Sequence, residues 1–116
     1  MKVFWTKFAL SSLHEIFTYY KENVSLTVAC NIRDSILSST RQLEIHPQSG
    51  SIEELLVELN QEHRYIIRGN YKIIYIIQNK KVFITDVFDT RQDPDKINRN
   101  NENDLTLNES GVSEYL

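Results

Sequence analysis

The three histidines, His14, His46 and His63, lie far apart and have no metal-ligand spacing. The single cysteine, Cys30, has no partner for a disulfide or a zinc knuckle. Neither a glycine-rich phosphate loop nor an ordered Ser, His and Asp set occurs. No metal or cofactor is therefore expected. The groups that could do chemistry are charged instead: Arg64, Arg68, Lys72 and Arg91, interleaved with Glu62, Asp86, Asp89 and Asp93. Guanidinium and ammonium groups hold phosphates or carboxylates through charge-assisted hydrogen bonds, and carboxylates move protons when their surroundings raise their pKa. What these groups can do depends on which face of which element carries them.

The elements follow from periodicity. Val3-Phe4-Trp5 is a short β-prone segment, and Ala9, Leu13, Ile16, Phe17 and Tyr20 then recur with the spacing of one helix face, predicting a helix from Thr6 to Glu22. Ser25 is suited to cap a second helix, with Ala29, Ile32, Ile36 and Leu43 on one side and an end near Glu44. A short link makes the two helices an antiparallel hairpin whose apolar faces need a shared partner. His46-Pro47-Gln48-Ser49-Gly50 closes the helical half, because proline excludes further helix and glycine permits a turn. Ser51-Ile52-Glu53-Glu54 has capping-box spacing and suits either a turn or two of helix or an extended link.

From His63 the period changes to two. Tyr65-Ile66-Ile67, Tyr71 to Ile77 and Val82 to Phe88 are rich in β-branched and aromatic residues, with Gly69-Asn70 and Asn79-Lys80 between them as two-residue turns. The result is an antiparallel β-meander, and the fold class is α+β: an N-terminal strand and a helical hairpin packed on that meander. Uninterrupted register pairs Arg68 with Tyr71, Arg64 with Tyr75 and Tyr75 with Ile84. One face then collects Ile66, Tyr71, Ile73, Tyr75, Ile77, Val82, Ile84 and Phe88 for the core. The other collects Lys72, Ile74, Ile76, Phe83, Thr85, Val87 and Asp89, with Arg91 if the strand extends. Arg64 and Arg68 fall at the core margin, where arginine stems cover apolar surface.

With 116 residues the chain suits one domain, read as residues 1–97 with a polar tail over 98–116. Its four acids at Glu102, Asp104, Glu109 and Glu114, without a base, give the tail −4 and leave the body nearly neutral within the overall −3. That tail is expected to be disordered or ordered by a partner. A neutral body excludes a broad nucleic-acid footprint and leaves only local clusters of bases. No apolar run approaches the ~18 residues of a membrane span, and the amino end lacks the pattern of a signal peptide. A cytoplasmic protein is the expectation; the oligomeric state stays open.

The element order carries a resemblance. Trp5-Thr6 before the first helix, Pro47-Gln48-Ser49-Gly50 after the second, His63-Arg64-Tyr65, Gly69-Asn70-Tyr71-Lys72-Ile73-Ile74-Tyr75 and Val87-Phe88-Asp89-Thr90-Arg91 together resemble the RelE/ParE toxin superfamily over residues 3 to 97. The resemblance implies a type II toxin held inactive by a cognate antitoxin. Its members are either ribosome-dependent mRNA endonucleases or inhibitors of DNA gyrase without nuclease activity. Lys72 matches the family's meander arginine and Arg91 its post-strand base, so both are the candidate phosphate-stabilising, catalytic residues of a nuclease. After Arg91, however, Gln92-Asp93-Pro94-Asp95-Lys96-Ile97 supplies no Tyr or His where the nuclease branch keeps its acid or base. Asp89, Asp86 and Glu62 are poor substitutes, since a carboxylate beside an RNA phosphate opposes binding. The expectation is thus a ParE-like toxin acting on a protein such as gyrase, with the ribosome and mRNA, or a purely non-toxic interaction role, as alternatives. Ile74, Ile76, Phe83 and Val87 are expected to form an exposed apolar strip for the antitoxin.

Overall fold

A computed structural model describes residues 1–99. The chain runs β1 (Lys2–Trp5), α1 (Lys7–Asn23), α2 (Leu26–Ser39), α3 (Gln42–Ile45), β2 (Ser51–Ile52), a 3-10 helix (Glu54–Leu59), β3 (Arg64–Arg68), β4 (Tyr71–Gln78), β5 (Lys81–Asp89) and a 3-10 turn (Pro94–Lys96). The strands form one sheet in the order β1-β5-β4-β3-β2, antiparallel except for the parallel β1–β5 pair. The α+β architecture, the helical hairpin and the meander are as expected from the sequence.

Local chemistry sets the boundaries. Thr6 caps α1: its hydroxyl accepts from the Ala9 N–H and donates to the Ile84 carbonyl, so one buried side chain both starts the helix and fastens it to β5. Ser25 caps α2 in the expected way. That helix does not continue to Glu44; it stops after Ser39. The hydroxyls of Ser38, Ser39 and Thr40 each donate to a backbone carbonyl three residues earlier, offering the chain an alternative to further helix. Both two-residue turns form, with Gly69, Asn79 and Lys80 at positive φ.

Tyr75 ties the loop after the helices to the sheet. Its buried hydroxyl donates to the Pro47 carbonyl at 2.7 Å and accepts from the Gly50 N–H at 3.0 Å. A Cβ on Gly50 would stand 2.6 Å from that hydroxyl, so only glycine allows the approach. Arg64 and Arg68 lie at the core margin as expected: Arg64 donates to the Gly50 carbonyl and Arg68 to the Ser35 hydroxyl on α2.

The register matches the sequence reading from Arg68–Tyr71 through Tyr75–Ile84, and then departs from it. Ile74 pairs with Asp86, so Thr85 is an extra residue in β5, a β-bulge. The Thr85 hydroxyl donates to the Ile74 carbonyl, partnering a backbone group where the ladder is interrupted. Beyond the bulge every β5 side chain changes face relative to the expectation. Val87 joins the core with Trp5, Leu13, Ile36, Ile73, Tyr75 and Ile84, whereas Phe88 lies on the outer face with Ile74, Leu56 and Ile97.

That outer face is partly roofed by the chain itself. The segment over 51–59, read as a turn of helix or a link, makes the short strand β2 and the 3-10 helix, whose fully buried Leu56 covers Ile74. The expected exposed strip is therefore absent: Ile74 and Val87 are interior, and Ile76 and Phe83 are nearly covered in a small cluster with Phe4. The folded body continues to Arg99. Asn98 is buried, its N–H donating to the Asp86 carboxylate and its amide to the Thr85 carbonyl, while Arg99 pairs with Glu58. The rest of the expected tail, residues 100–116, lies outside the described residues.

Candidate functional site

The two cations singled out by sequence do not meet. Lys72 stands opposite Phe88 on the outer face, while Tyr71 and its neighbour across the ladder, Asp89, belong to the hairpin side. The bulge at Thr85 is the reason, since it shifts Asp89 by one residue relative to Lys72. The expected shared face of Lys72, Asp89 and Arg91 is thus corrected to two separate places.

On the outer face Lys72 is already occupied. Its ammonium lies 2.8 Å from Glu53 and 4.4 Å from the centre of the Tyr65 ring. Glu53 is only 3 % exposed and is held from three directions: its second oxygen accepts from the Leu55 N–H, and its own N–H donates to the His63 carbonyl. A buried carboxylate needs such a partner, so Lys72 is the counter-ion of a structural group. His63 is itself buried, and that burial lowers its pKa from the ordinary value, against the raising effects of the Gln61 carbonyl and Glu53. The sequence showed Glu53 only as part of a capping pattern; its apolar neighbours Ile52, Leu55 and Leu56 were the available hint that it would be buried.

Arg91 lies at the mouth of a groove of about 730 Å³ between α1 and the end of β5, lined by Phe8, Ser12, Tyr20, Tyr71, Asp89 and Lys96 among others. Its guanidinium grips Asp89 with two bonds of 2.9 and 2.8 Å, and its backbone N–H adds a third at 2.9 Å. Those bonds hold the Asp89 carboxyl below its usual range and raise the arginine further, with Tyr20 contributing. Tyr71 donates to Tyr20 at 3.3 Å; burial, and then that neighbour, push the Tyr71 phenol well above its ordinary value. The Tyr71 phenol is thus kept protonated while Asp89 stays ionised. Sequence reading missed this Tyr20, Tyr71, Asp89 and Arg91 cluster because Tyr20 looked like one more apolar position on α1.

Among the described residues no group of histidines, cysteines and carboxylates could hold a metal ion. Nor is any helix long and apolar enough to cross a membrane. The arrangement offers ion-paired cations, a groove and a partly covered sheet.

The profile described as the ParE toxin of the type II toxin-antitoxin system, parDE, matches residues 3–94. The chain belongs to the ParE toxin family. Among solved structures it is similar to the chromosomal ParDE toxin-antitoxin system from P. aeruginosa, with a TM-score of 0.63 at 18% identity, covering 75% of this chain and 92% of that one. At that identity the likeness speaks for the fold. No curated protein sequence matches the chain significantly. Membership of the ParE family makes the chain a type II toxin component with an antitoxin as partner.

Proposed function

We propose that this ParE-family toxin acts in the cytoplasm by binding a protein target, DNA gyrase being the one the family resemblance implies, and that it cuts no RNA. The observation carrying this reading is the separation of Lys72 from Arg91 by the sheet, with each cation already paired to a carboxylate. Phosphoryl transfer needs cations gathered on one phosphate with an acid and a base in reach. Lys72 and Arg91, on opposite faces of the sheet, do not gather on one phosphate, which supports the protein-binding reading. A protein-binding toxin needs only a stable surface, which this fold supplies.

The test uses the purified full chain with purified gyrase. Loss of supercoiling activity in proportion to added toxin is the expected result; unchanged supercoiling at saturating toxin counts against the target. Cleavage of mRNA at defined codon positions on translating ribosomes would overturn the protein-binding reading. The alternative nuclease keeps one favourable feature, the 58% exposed Arg91 side chain, so the same ribosome assay is run with Arg91→Ala.

A further inference from the structure

Three lysines stand at the corner of the outer face opposite Lys72. Register sets Lys2 of β1 directly beside Lys81 of β5, in the row next to Phe4 and Phe83, and Lys80 occupies the turn that leads into β5. The Lys81 ammonium lies over the Phe4 ring, 5.5 Å from its centre. The third member of the lysine row is Gln78, so no carboxylate shares it. All three lysines are exposed, and among the described residues none has an ion-pair partner.

Folding does not account for this placement. Neighbouring strands run about 4.8 Å apart, so Lys2 and Lys81 are like charges side by side, an arrangement that destabilises a sheet. Lys80 holds a φ of 59°, in the left-handed region where a side chain is strained and a glycine would be free of that cost. A lysine on an outer strand discourages aggregation, which explains Lys2, but Lys81 lies on an interior strand and guards no edge. Three cations are thus gathered against the interest of the fold, as a site for an anion requires. The apolar row beside them is closed, since Phe4, Ile76 and Phe83 are only 8, 4 and 5% exposed. A partner gains almost no apolar contact here and must be recognised by charge alone. A polypeptide segment adds affinity by burying side chains, whereas a phosphodiester backbone offers repeated charge without them.

We propose that this corner contacts the phosphate backbone of duplex DNA, with Lys2, Lys80 and Lys81 each facing a phosphate. The anion's chemistry follows from the lysines; the choice of duplex DNA rests on the gyrase reading, because gyrase supercoils duplex DNA and a toxin seated on it is held beside that polymer. The contact reads no bases. It adds a salt-sensitive share of affinity to a toxin otherwise bound through protein surface, and it suits a nearly neutral body whose bases are local rather than spread.

The test titrates a short mixed-sequence DNA duplex into the 15N-labelled full chain, with a polyglutamate peptide and a single-stranded RNA as comparison polyanions. Amide shifts at Lys2, Lys80 and Lys81 are expected with the duplex, and the affinity should fall with salt at a logarithmic slope of about −2.7, three phosphates at ~0.9 each. Changing Lys2 and Lys81 to glutamine together with Lys80→Gly should weaken binding roughly tenfold or more. Lys80→Gly alone gives two readouts of opposite sign: a higher melting temperature, as the strained turn relaxes, and weaker DNA binding. Shifts that avoid these lysines, binding that survives the triple change, or a slope near zero would overturn the proposal. Equal or tighter binding of polyglutamate would make an acidic protein the partner and overturn it as well, and tighter binding of the single strand would do the same in favour of RNA. No gyrase is present in the titration, so its failure is distinguishable from failure of the gyrase reading, which the supercoiling assay tests.

Discussion

The outer face of the sheet holds two sets of lysines with opposite fates. At one end Lys72 is consumed: it pairs with Glu53 and lies over the Tyr65 ring, and its charge balances a carboxylate that water barely reaches. At the other end Lys2, Lys80 and Lys81 are unpaired among the described residues. The same residue type on the same face thus has two meanings, decided by whether a neighbouring segment supplies a buried counter-charge. A basic residue at a family position is evidence of a phosphate site only after its partners are known.

The largest effect should come from the closed end. Replacing Glu53 with alanine leaves the Lys72 ammonium partly buried without its partner, and removing one member of a buried pair typically costs about 3–5 kcal/mol. Lys72 is 22% exposed, so water offsets part of this and the expected loss is about 2–3 kcal/mol by urea unfolding. The double variant Glu53→Leu with Lys72→Met tests the interpretation, because a well-packed apolar pair should recover most of that loss. A double variant as unstable as the single one would show that Glu53 matters through its backbone cap and not through the ion pair.

Acid should act on the closed end next. Burial lowers the His63 pKa, so the folded state keeps the imidazole neutral while the unfolded chain takes up a proton near pH 6.5. The stability this contributes is present above that pH and is lost as pH falls toward the lowered folded value. His63→Gln should flatten the decline that sets in below about pH 6.5, leaving a separate loss at lower pH from Asp89, whose depressed pKa makes its contribution disappear only when the carboxylate itself protonates. An unchanged profile in His63→Gln would remove the histidine from this account.

The contrast between the two ends also explains what could be read in the sequence. Alternation and turn residues were enough to place β3, β4 and most of β5, because Gly69-Asn70 and Asn79-Lys80 fix register over short distances. Thr6 and Ser25 were legible as helix starts for the same local reason. The bulge at Thr85 was not, since a threonine in a run of β-formers carries no mark of being skipped. Its consequence was large, as one extra residue moved Asp89 and Val87 to the hairpin side and separated the two candidate cations. The roof over Lys72 was equally hidden: it depends on Leu56 and Ile97 reaching Ile74 from far along the chain, a contact that no local pattern records. Family resemblance located Lys72 and Arg91 but could not say that each had a carboxylate already in hand.

The smallest expected effect is at the open end, and it is the sharpest check on the comparison. Lys81 has no ion pair to lose, so Lys81→Ala should change stability by no more than about 0.5 kcal/mol, as for surface positions generally. The lost methylene cover over Phe4 pulls slightly toward destabilisation. Relief of repulsion from Lys80 and Lys2 pulls the other way, and more so at low salt. Matched urea curves for Lys81→Ala and Lys72→Ala therefore separate the two fates directly. If Lys81→Ala costs as much as Lys72→Ala, its charge is already engaged within the fold and the open corner has no spare cations to offer a partner. If it is neutral while Lys72→Ala is costly, the unpaired charge at the open end serves something other than folding.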